Sequence, residues 1–562
     1  MLLSIQNPQS QTRNRHTAAI VQGLERQIVV LDVVGSIPTS RPISKVTARP
    51  TVDYMNLFTK LLILVAILPV FSHAQQNDTV EGELLVKFRA GTEADTSRKV
   101  NQKAGGTVVE RFQELGWQRV KLPAGKTMDA AMADYLASAQ VEAVQPNYYY
   151  HLLAATPNDA DFASLWGMEK ISARQAWDIH TGSSNVIIAN IDTGIRYNHP
   201  DLAANMWTNP GEINGNGVDD DNNGFVDDYY GYDFRFNDPD PMDENGHGTH
   251  TAGTLGAVGN NSIGVAGVNW NVKLMAIKIY GSSGLGTTSA MLINAYNYVR
   301  MMKLRGVNIR VTNNSYGGCD EACGYDQATK DAIDALGNAG VLQVFAAGNA
   351  GANSDTSPQY PAAYNSPWII SVANSMPTDI LNGTSNFGAA SVDLAAPGTS
   401  ILSTVLSAAN YGNLSGTSMA APHVAGAAAL LASHNPSLSL ASLKATLLNS
   451  VDQVQGLIGI VKAGGRLNVA QALQNQTVCS FNMPAAPVTV PTKGGHFSIN
   501  VTAGQNCDYQ AKSNARWIRR AGSDSLSGNG TATFQVTVNP TISRSGTVSI
   551  AGNEITVVQS RN

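Results

Sequence analysis

The chain has 562 residues, too many for one ordinary domain, so several folded units are expected. Hydrophobic residues make up 43%, as in globular proteins, and the net charge is only −5. That charge is unevenly spread: residues 156–477 carry 14 Lys+Arg against 26 Asp+Glu, a net of −12, which argues against nucleic acid as a partner and suits a domain that binds cations.

Residues 1–54 show no clear periodicity and only scattered arginines, whereas residues 55–74 carry an export signal. A basic start ending at Lys60 leads into an apolar core from Leu61 to Phe71, and the small residues Ser72 and Ala74 suit cleavage after Ala74. A core of 11 residues is too short to span a bilayer as a helix. The segment therefore reads as a signal peptide of a secreted (extracellular or periplasmic) protein. Met55 is the expected start, with residues 1–54 a non-native upstream extension. No later stretch is long and apolar enough for a membrane span.

Residues 75–155 follow as one compact unit. Glu83–Phe88 alternates like a strand, Glu93–Ala104 is helical in pattern, and Thr107–Phe112 and Trp117–Leu122 are strand-like. A second helix is expected over Met128–Ala139 and a last strand over Val141–Asn147. The β-α-β, β-α-β order predicts a small α+β ferredoxin-like sandwich.

In the next segment, residues 186–195 form an apolar strand pattern with Asp192 at its end, which puts a carboxylate at the rim of a sheet. Asp219 to Asp228 contains Asp-x-Asp-x-Asn-Gly, oxygen side chains at alternate positions around a turn glycine, as a hard cation requires. Asp219, Asp221 and Asn223 are the candidate ligands, with Asp227 or Asp228 closing the loop, because Tyr230 stands where an EF-hand has its glutamate. A solvated acidic insertion is the alternative. Residues 245–256 are rich in small residues and begin with His247. Val341–Gly351 is an apolar strand running into a turn that holds Asn349, whose amide is free to donate. Residues 414–426, Leu-Ser-Gly-Thr-Ser-Met-Ala-Ala-Pro-His-Val-Ala-Gly, place Ser418 just before an alanine-rich helical run. Unpaired N–H groups at a helix N-terminus favour negative charge developing on a nucleophile. A serine hydroxyl is inert unless a base activates it. Asp192, His247 and Ser418 supply orienting acid, base and nucleophile. A metal role for His247 and His250 lacks the His-Glu-x-x-His pattern.

The Asp-Thr-Gly, His-Gly-Thr-His and Gly-Thr-Ser-Met-Ala-Ala-Pro-His blocks, in the order Asp, His, Ser, resemble the signatures of the subtilisin-like serine proteases over about Pro157 to Leu473. The resemblance implies an α/β domain over residues 156–477, with a mostly parallel sheet flanked by helices. It implies peptide-bond hydrolysis through an acyl-enzyme, with the Asn349 side chain and the Ser418 N–H as oxyanion donors. It implies calcium held by Asp159, Asp201 and Asn261 and by the carbonyls of Val258, Ile263 and Val265. Asn314–Gly317 resembles the strand that pairs with substrate. The S1 walls would then be Ser315, Tyr316 and Gly317 on one side and Ala347, Gly348 and Asn349 on the other. None of these is acidic, which favours uncharged or apolar P1 residues. The place of Gln359 stays open. Residues 75–155 resemble the inhibitory propeptides of the same family, with Gln145–Tyr150 extended into the cleft and self-cleavage between about Tyr150 and Thr156.

After Leu473, alternating strands with Gly/Asn turns over residues 478–562 predict a small β-sandwich. Cys479, Cys507, Trp517-Ile518 and the closing Val-Val-Gln resemble BACON-type β-domains, which are associated with carbohydrate or cell-surface attachment. A spacer role is the alternative, and Trp517 reads better as core than as a sugar platform. The four cysteines fall into two local pairs, so disulfides Cys319–Cys323 and Cys479–Cys507 are expected in an exported chain. The reading is a secreted, calcium-stabilised serine endopeptidase made as a zymogen. Its rivals are a catalytically silent binding protein on the same fold and a non-peptidase hydrolase. The second would need Gly-x-Ser-x-Gly, and Gly416-Thr417-Ser418-Met419-Ala420 lacks the last glycine.

Overall fold

The computed structural model describes residues 79–148, 156–284, 286–317, 325–484, 487–539 and 543–560. The expected upstream extension, the signal peptide, the self-cleavage region at 150–155 and the Cys319–Cys323 pair lie outside these residues. The chain divides into two compact units, at Tyr149/Tyr150.

The first unit runs β1 (Thr79–Phe88), α1 (Ala94–Ala104), β2 (Thr107–Phe112), β3 (Trp117–Lys121), α2 (Met128–Leu136) and β4 (Val141–Tyr148). The antiparallel sheet has the order β2-β3-β1-β4. That is the ferredoxin-like arrangement the alternation predicts. Along β1, Leu84, Val86 and Phe88 point inward and pack against Ala104, Ala131 and Tyr135 of the helices. The period of two in the sequence becomes the buried face of the sheet. One polar chain crosses this core: the Tyr135 hydroxyl donates to Asn101 Oδ1 at 3.0 Å, and Asn101 Nδ2 donates to Gln118 Oε1 at 2.9 Å.

The second unit is built on β5 (Gly182–Asp192), β6 (Gly231–Asp233), β7 (Asn271–Lys278), β8 (Ile309–Asn314), β9 (Leu342–Ala346), β10 (Ile369–Ser375), β11 (Leu394–Pro397), the hairpin β12 (Ile401–Thr404) and β13 (Tyr411–Leu414), β14 (Asp452–Gln453) and β15 (Gly465–Arg466). Its main helices are α3 (Trp166–Lys170), α4 (Ala173–Trp177), α5 (His247–Gly256), α6 (Ser289–Leu304), α7 (Gln327–Asn338), α8 (Thr417–His434), α9 (Leu440–Asn449) and α10 (Val469–Gln474). The sheet order is β14-β15-β11-β10-β9-β8-β5-β7-β6, parallel except for the β14–β15 edge. Strands covered on both faces need apolar residues on both, hence the unbroken Val-Ile-Ile-Ala run of β5. Ile188 and Val311 face α5, α8 and α9, while Ile187, Ala189 and Ile191 face α6 and α7. The alanine-rich α8 is buried along nearly its whole length, and small side chains let it lie close to the sheet.

Residues from Phe481 onward form the predicted sandwich, with a four-stranded sheet against a five-stranded one. Cys479 and Cys507 are joined in a disulfide. Trp517 is half-buried against this core, with the Arg544 guanidinium 4.4 Å over its ring, which agrees with a packing residue. The sandwich is seated on α9: Lys444 makes a 2.8 Å ion pair with Asp508, and Asn506 Nδ2 donates to Asn449 Oδ1 at 2.6 Å.

Candidate active site

Parallel strands deliver side chains and loops to the carboxyl edge of a sheet, where open α/β sheets bind ligands. Asp192 is the last residue of β5 and is 2% exposed. Its Oδ1 accepts the Thr193 N–H at 2.7 Å and the Nδ1–H of His247 at 2.7 Å. Because a carboxylate can only accept, this contact leaves Nε2 of a neutral His247 free as the base. His247 opens α5, and Gly248 explains how that helix comes so near β5: a Cβ there would lie 2.1 Å from Gly194 O and 3.1 Å from Asp192 Cβ. Burial works against the imidazolium form of His247, but the charge and hydrogen bond of Asp192, with Asp243 beyond, hold its pKa above the ordinary histidine value. His250 behaves oppositely. It is fully buried, donates Nε2–H to Ile401 O at 2.8 Å and is pushed down to about 4 by burial, so it braces β12 as a neutral ring.

Ser418 lies in the first turn of α8. Its Oγ donates to Ser315 O at 3.1 Å and makes no hydrogen bond to His247. Such bonds are often long without substrate and tighten in the Michaelis complex. The N-cap of α8 is Gly416 at φ 151, and a Cβ there would sit in contact with the Asn349 amide nitrogen at 3.4 Å. Asn349 Oδ1 accepts both the N–H of Thr417 at 2.9 Å and its hydroxyl at 3.0 Å. This anchoring orients the amide and leaves Nδ2 without a partner among the described residues, as an oxyanion donor requires.

Asn314 of β8 pairs with Phe345 of β9, so residues 315–317 and 347–349 leave the sheet side by side. The two expected S1 walls are thus brought together. Tyr316 contributes only backbone to its wall. Its hydroxyl bonds Tyr296 at 2.6 Å and Asn314 Oδ1 at 3.1 Å, which turns the ring into the core on the α6 side. Gln359 joins the other wall: its Oε1 accepts from Asn386 Nδ2 at 2.7 Å and lies where a Cβ on Gly348 would be.

One candidate cation site is assembled from distant segments, the other within a single acidic loop. Asp201 Oδ1 accepts from Asn261 Nδ2 at 2.6 Å, and its Oδ2 accepts the N–H of Val265 at 3.0 Å. Val258 N–H bonds Asp201 O, and Ile263 N–H bonds Asn261 Oδ1. Asp159 is nearby, 5% exposed, with a buried Oδ1 that has no partner among the described residues. Burial raises the Asp159 pKa and pushes Asp201 up to about 6, with the charge of Asp159 adding to the Asp201 shift. Two buried carboxylates with an orphaned oxygen are a donor set that suits a hard cation.

At the acidic loop, carboxylate oxygens of Asp219, Asp221 and Glu212 lie within 4.8 Å of one another, a cluster that includes Glu212 beside two of the expected residues. Asp227 instead accepts the N–H groups of Asn216 and Gly217, a loop-tightening role. Asn223 Oδ1 is taken by the Phe225 N–H, while its amide reaches Asp228. Asp228 is fully buried and accepts the Tyr298 hydroxyl at 2.5 Å. Glu212 stands before the acidic run, and nothing in the local pattern marked it.

The family model of the subtilases matches residues 183–478, and that of the fervidolysin N-terminal prodomain matches residues 68–147. Thermitase of Thermoactinomyces vulgaris is 40% identical over 320 residues, covering 57% of this chain and 99% of that protein. A thermophilic serine proteinase of a Bacillus species is 33% identical over 395 residues, covering 70% and 88%. An extracellular basic protease of Dichelobacter nodosus is 32% identical over 464 residues, covering 73% and 74%. No helix among the described residues is long and apolar enough to cross a membrane.

Proposed function

Because the chain belongs to the subtilase family and is a subtilisin-like serine endopeptidase with an N-terminal prodomain, we propose that it works through an Asp192–His247–Ser418 triad as a secreted, self-processing zymogen. Ser418 Oγ attacks the peptide carbonyl and forms the acyl-enzyme. His247 takes the hydroxyl proton at Nε2 and returns it to the leaving amine. Asp192 holds the imidazole tautomer and stabilises the imidazolium without being protonated itself. Asn349 Nδ2 and the Ser418 N–H stabilise the oxyanion. The reading is carried by the 2.7 Å Asp192–His247 contact, together with a serine in the first turn of α8, a helix that packs against the helix of His247.

The same reading assigns residues 75–155 as an inhibitor removed by the enzyme's own cut between Tyr150 and Thr156, after export by residues 55–74. The similarity to the extracellular basic protease of Dichelobacter nodosus supports export. Calcium is proposed at Asp159, Asp201 and Asn261 with the carbonyls of Val258, Ile263 and Val265, and at Glu212, Asp219 and Asp221. Bound there, the ion would neutralise buried carboxylates and add its binding energy to the folded state. The sandwich over 478–562 is proposed as a BACON-like attachment or spacer domain.

The test is a peptide-library digest with purified mature enzyme beside Ser418→Ala. Cleavage by the native protein and none by the variant, together with an unprocessed variant precursor starting near Gln75, supports the whole reading. No cleavage by either points to the catalytically silent binding protein.

A further inference from the structure

Two buried asparagines sit where parallel strands normally carry aliphatic side chains. Asn190 of β5 and Asn313 of β8 are direct neighbours in the strand register, and both are 0% exposed. Buried amides are costly unless every donor and acceptor is used, so their partners state what they are for.

Asn313 Nδ2 uses both hydrogens, one on Asn190 Oδ1 at 2.9 Å and one on Ser315 Oγ at 3.0 Å. Ser315 Oγ passes its own hydrogen to the carbonyl of Ser418 at 2.9 Å. In the other direction, Asn190 Nδ2 donates to Gly248 O at 3.0 Å and to Thr251 Oγ1 at 3.1 Å, both on α5. The single Thr251 hydroxyl hydrogen is shared between Gly248 O at 3.0 Å and Asp192 Oδ2 at 3.3 Å. From Ser418 to α5 each link pairs a donor with an acceptor, and the contact to Asp192 is the longer of the shared pair. The chain runs from the backbone of Ser418 beneath the triad to the helix of His247 and the carboxylate of Asp192.

We propose that Asn190 and Asn313 are positioning residues that set the spacing and alignment of the α5 and α8 helices, and so of His247 and Ser418. This rests on the triad assignment above. The two helices touch the sheet through small side chains, which lets them slide; directional hydrogen bonds fix what alanine packing leaves loose. Misplacing reacting groups by about 1 Å costs on the order of 10²-fold.

The test compares Asn313→Leu, Asn190→Leu and the double variant, with Ser418→Ala alongside. A brace predicts a drop in kcat of about 10- to 100-fold with KM within about twofold. It also predicts an equal drop in the rate at which a small fluorophosphonate labels Ser418, because that reaction needs triad alignment but no peptide binding. The double variant should be no worse than the poorer single one, since a chain breaks only once. A folded Asn313→Leu with undiminished kcat, a loss carried by KM alone, or multiplying single effects would overturn the proposal. Should the leucine variants not fold, Asn313→Asp keeps the volume and removes both N–H donors; the same kcat loss supports the brace, and full kcat removes it. Peptide cleavage retained by Ser418→Ala would sink the triad reading itself. An inactive Ser418→Ala beside a fully active Asn313→Leu would sink only the brace.

Discussion

The hydroxyl of Ser315 donates to the backbone carbonyl of Ser418 at 2.9 Å, where the helix itself has no donor to offer. Four residues on is Pro422, which lacks the N–H that would close that helical bond. Ser418 returns the contact, Oγ to Ser315 O at 3.1 Å. The substrate-wall strand and the nucleophile's helix are therefore tied by two reciprocal hydrogen bonds. Ser315→Ala leaves the carbonyl unpaired in a largely buried setting, a cost of roughly 1–3 kcal/mol. A calorimetric melt should show a Tm several degrees lower, and kcat should fall more than KM rises. An unchanged melt would mean that water replaces the hydroxyl without penalty.

Asn349→Ala removes the free amide while leaving the rest of the wall. Turnover should fall by about 10²–10³ with KM little changed, the magnitude measured for this donor in a subtilisin, and so a figure from within the family. Because Asn349 Oδ1 also holds Thr417, Asn349→Asp is informative: it keeps the acceptor and loses the donor. It should be as inactive as the alanine variant. Substantial activity in Asn349→Asp would reassign the oxyanion donor.

The pH profile of kcat/KM follows from His247. Its imidazolium is favoured by Asp192 and Asp243 over the opposing effect of burial, so its pKa is raised above the ordinary 6.5. The base works only when neutral, so activity should rise through an acid limb lying above that value. The sign for stability is opposite: the His247–Asp192 attraction is complete below the unfolded pKa and is lost as pH rises through the folded one. Asp192→Asn should move the limb to lower pH as well as reduce kcat. A limb at or below the free histidine value would contradict the electrostatics.

Chelation should lower the melting temperature by several degrees, with recovery on adding calcium. An ion bound only to the folded state, at a hundredfold excess over its Kd, is worth about 2.7 kcal/mol per site. Glu212→Gln should blunt part of the response and Asp227→Asn should not abolish it, since the acidic cluster contains the first and not the second. A melt indifferent to chelator would remove both calcium assignments.

Seating of the sandwich depends on Asp508, which faces Lys444 and Lys462. Burial pushes its carboxyl up, but the two ammonium groups outweigh that and hold it below the ordinary 3.8. Its contribution is then complete above that value and is lost as pH falls below it. Asp508→Asn leaves buried Lys444 underpaired and should cost about 3–5 kcal/mol, read by denaturant unfolding. Loss of less than about 1 kcal/mol would show that Asp393 alone satisfies Lys444.

Much of this protein could be read before folding was considered. The alternation of Leu84, Val86 and Phe88 predicts the inner face of the first sheet, because a strand's side chains alternate whatever they pack against. Asp192, His247 and Ser418 stand out because each needs its own local backbone: a strand end, a helix start, a tight turn before a helix. What sequence could not place are contacts decided by packing across long separations. Tyr316 belongs to the wall strand, yet its ring turns to Tyr296. Glu212 joins Asp219 and Asp221 because a loop folds back on itself. Asn190 and Asn313, 123 residues apart, read as interruptions in apolar strands until the parallel register makes them neighbours. Local sequence sets what each backbone segment can be; only the close-packed sheet and helices determine which buried polar atoms meet, since an amide's partner depends on every layer around it.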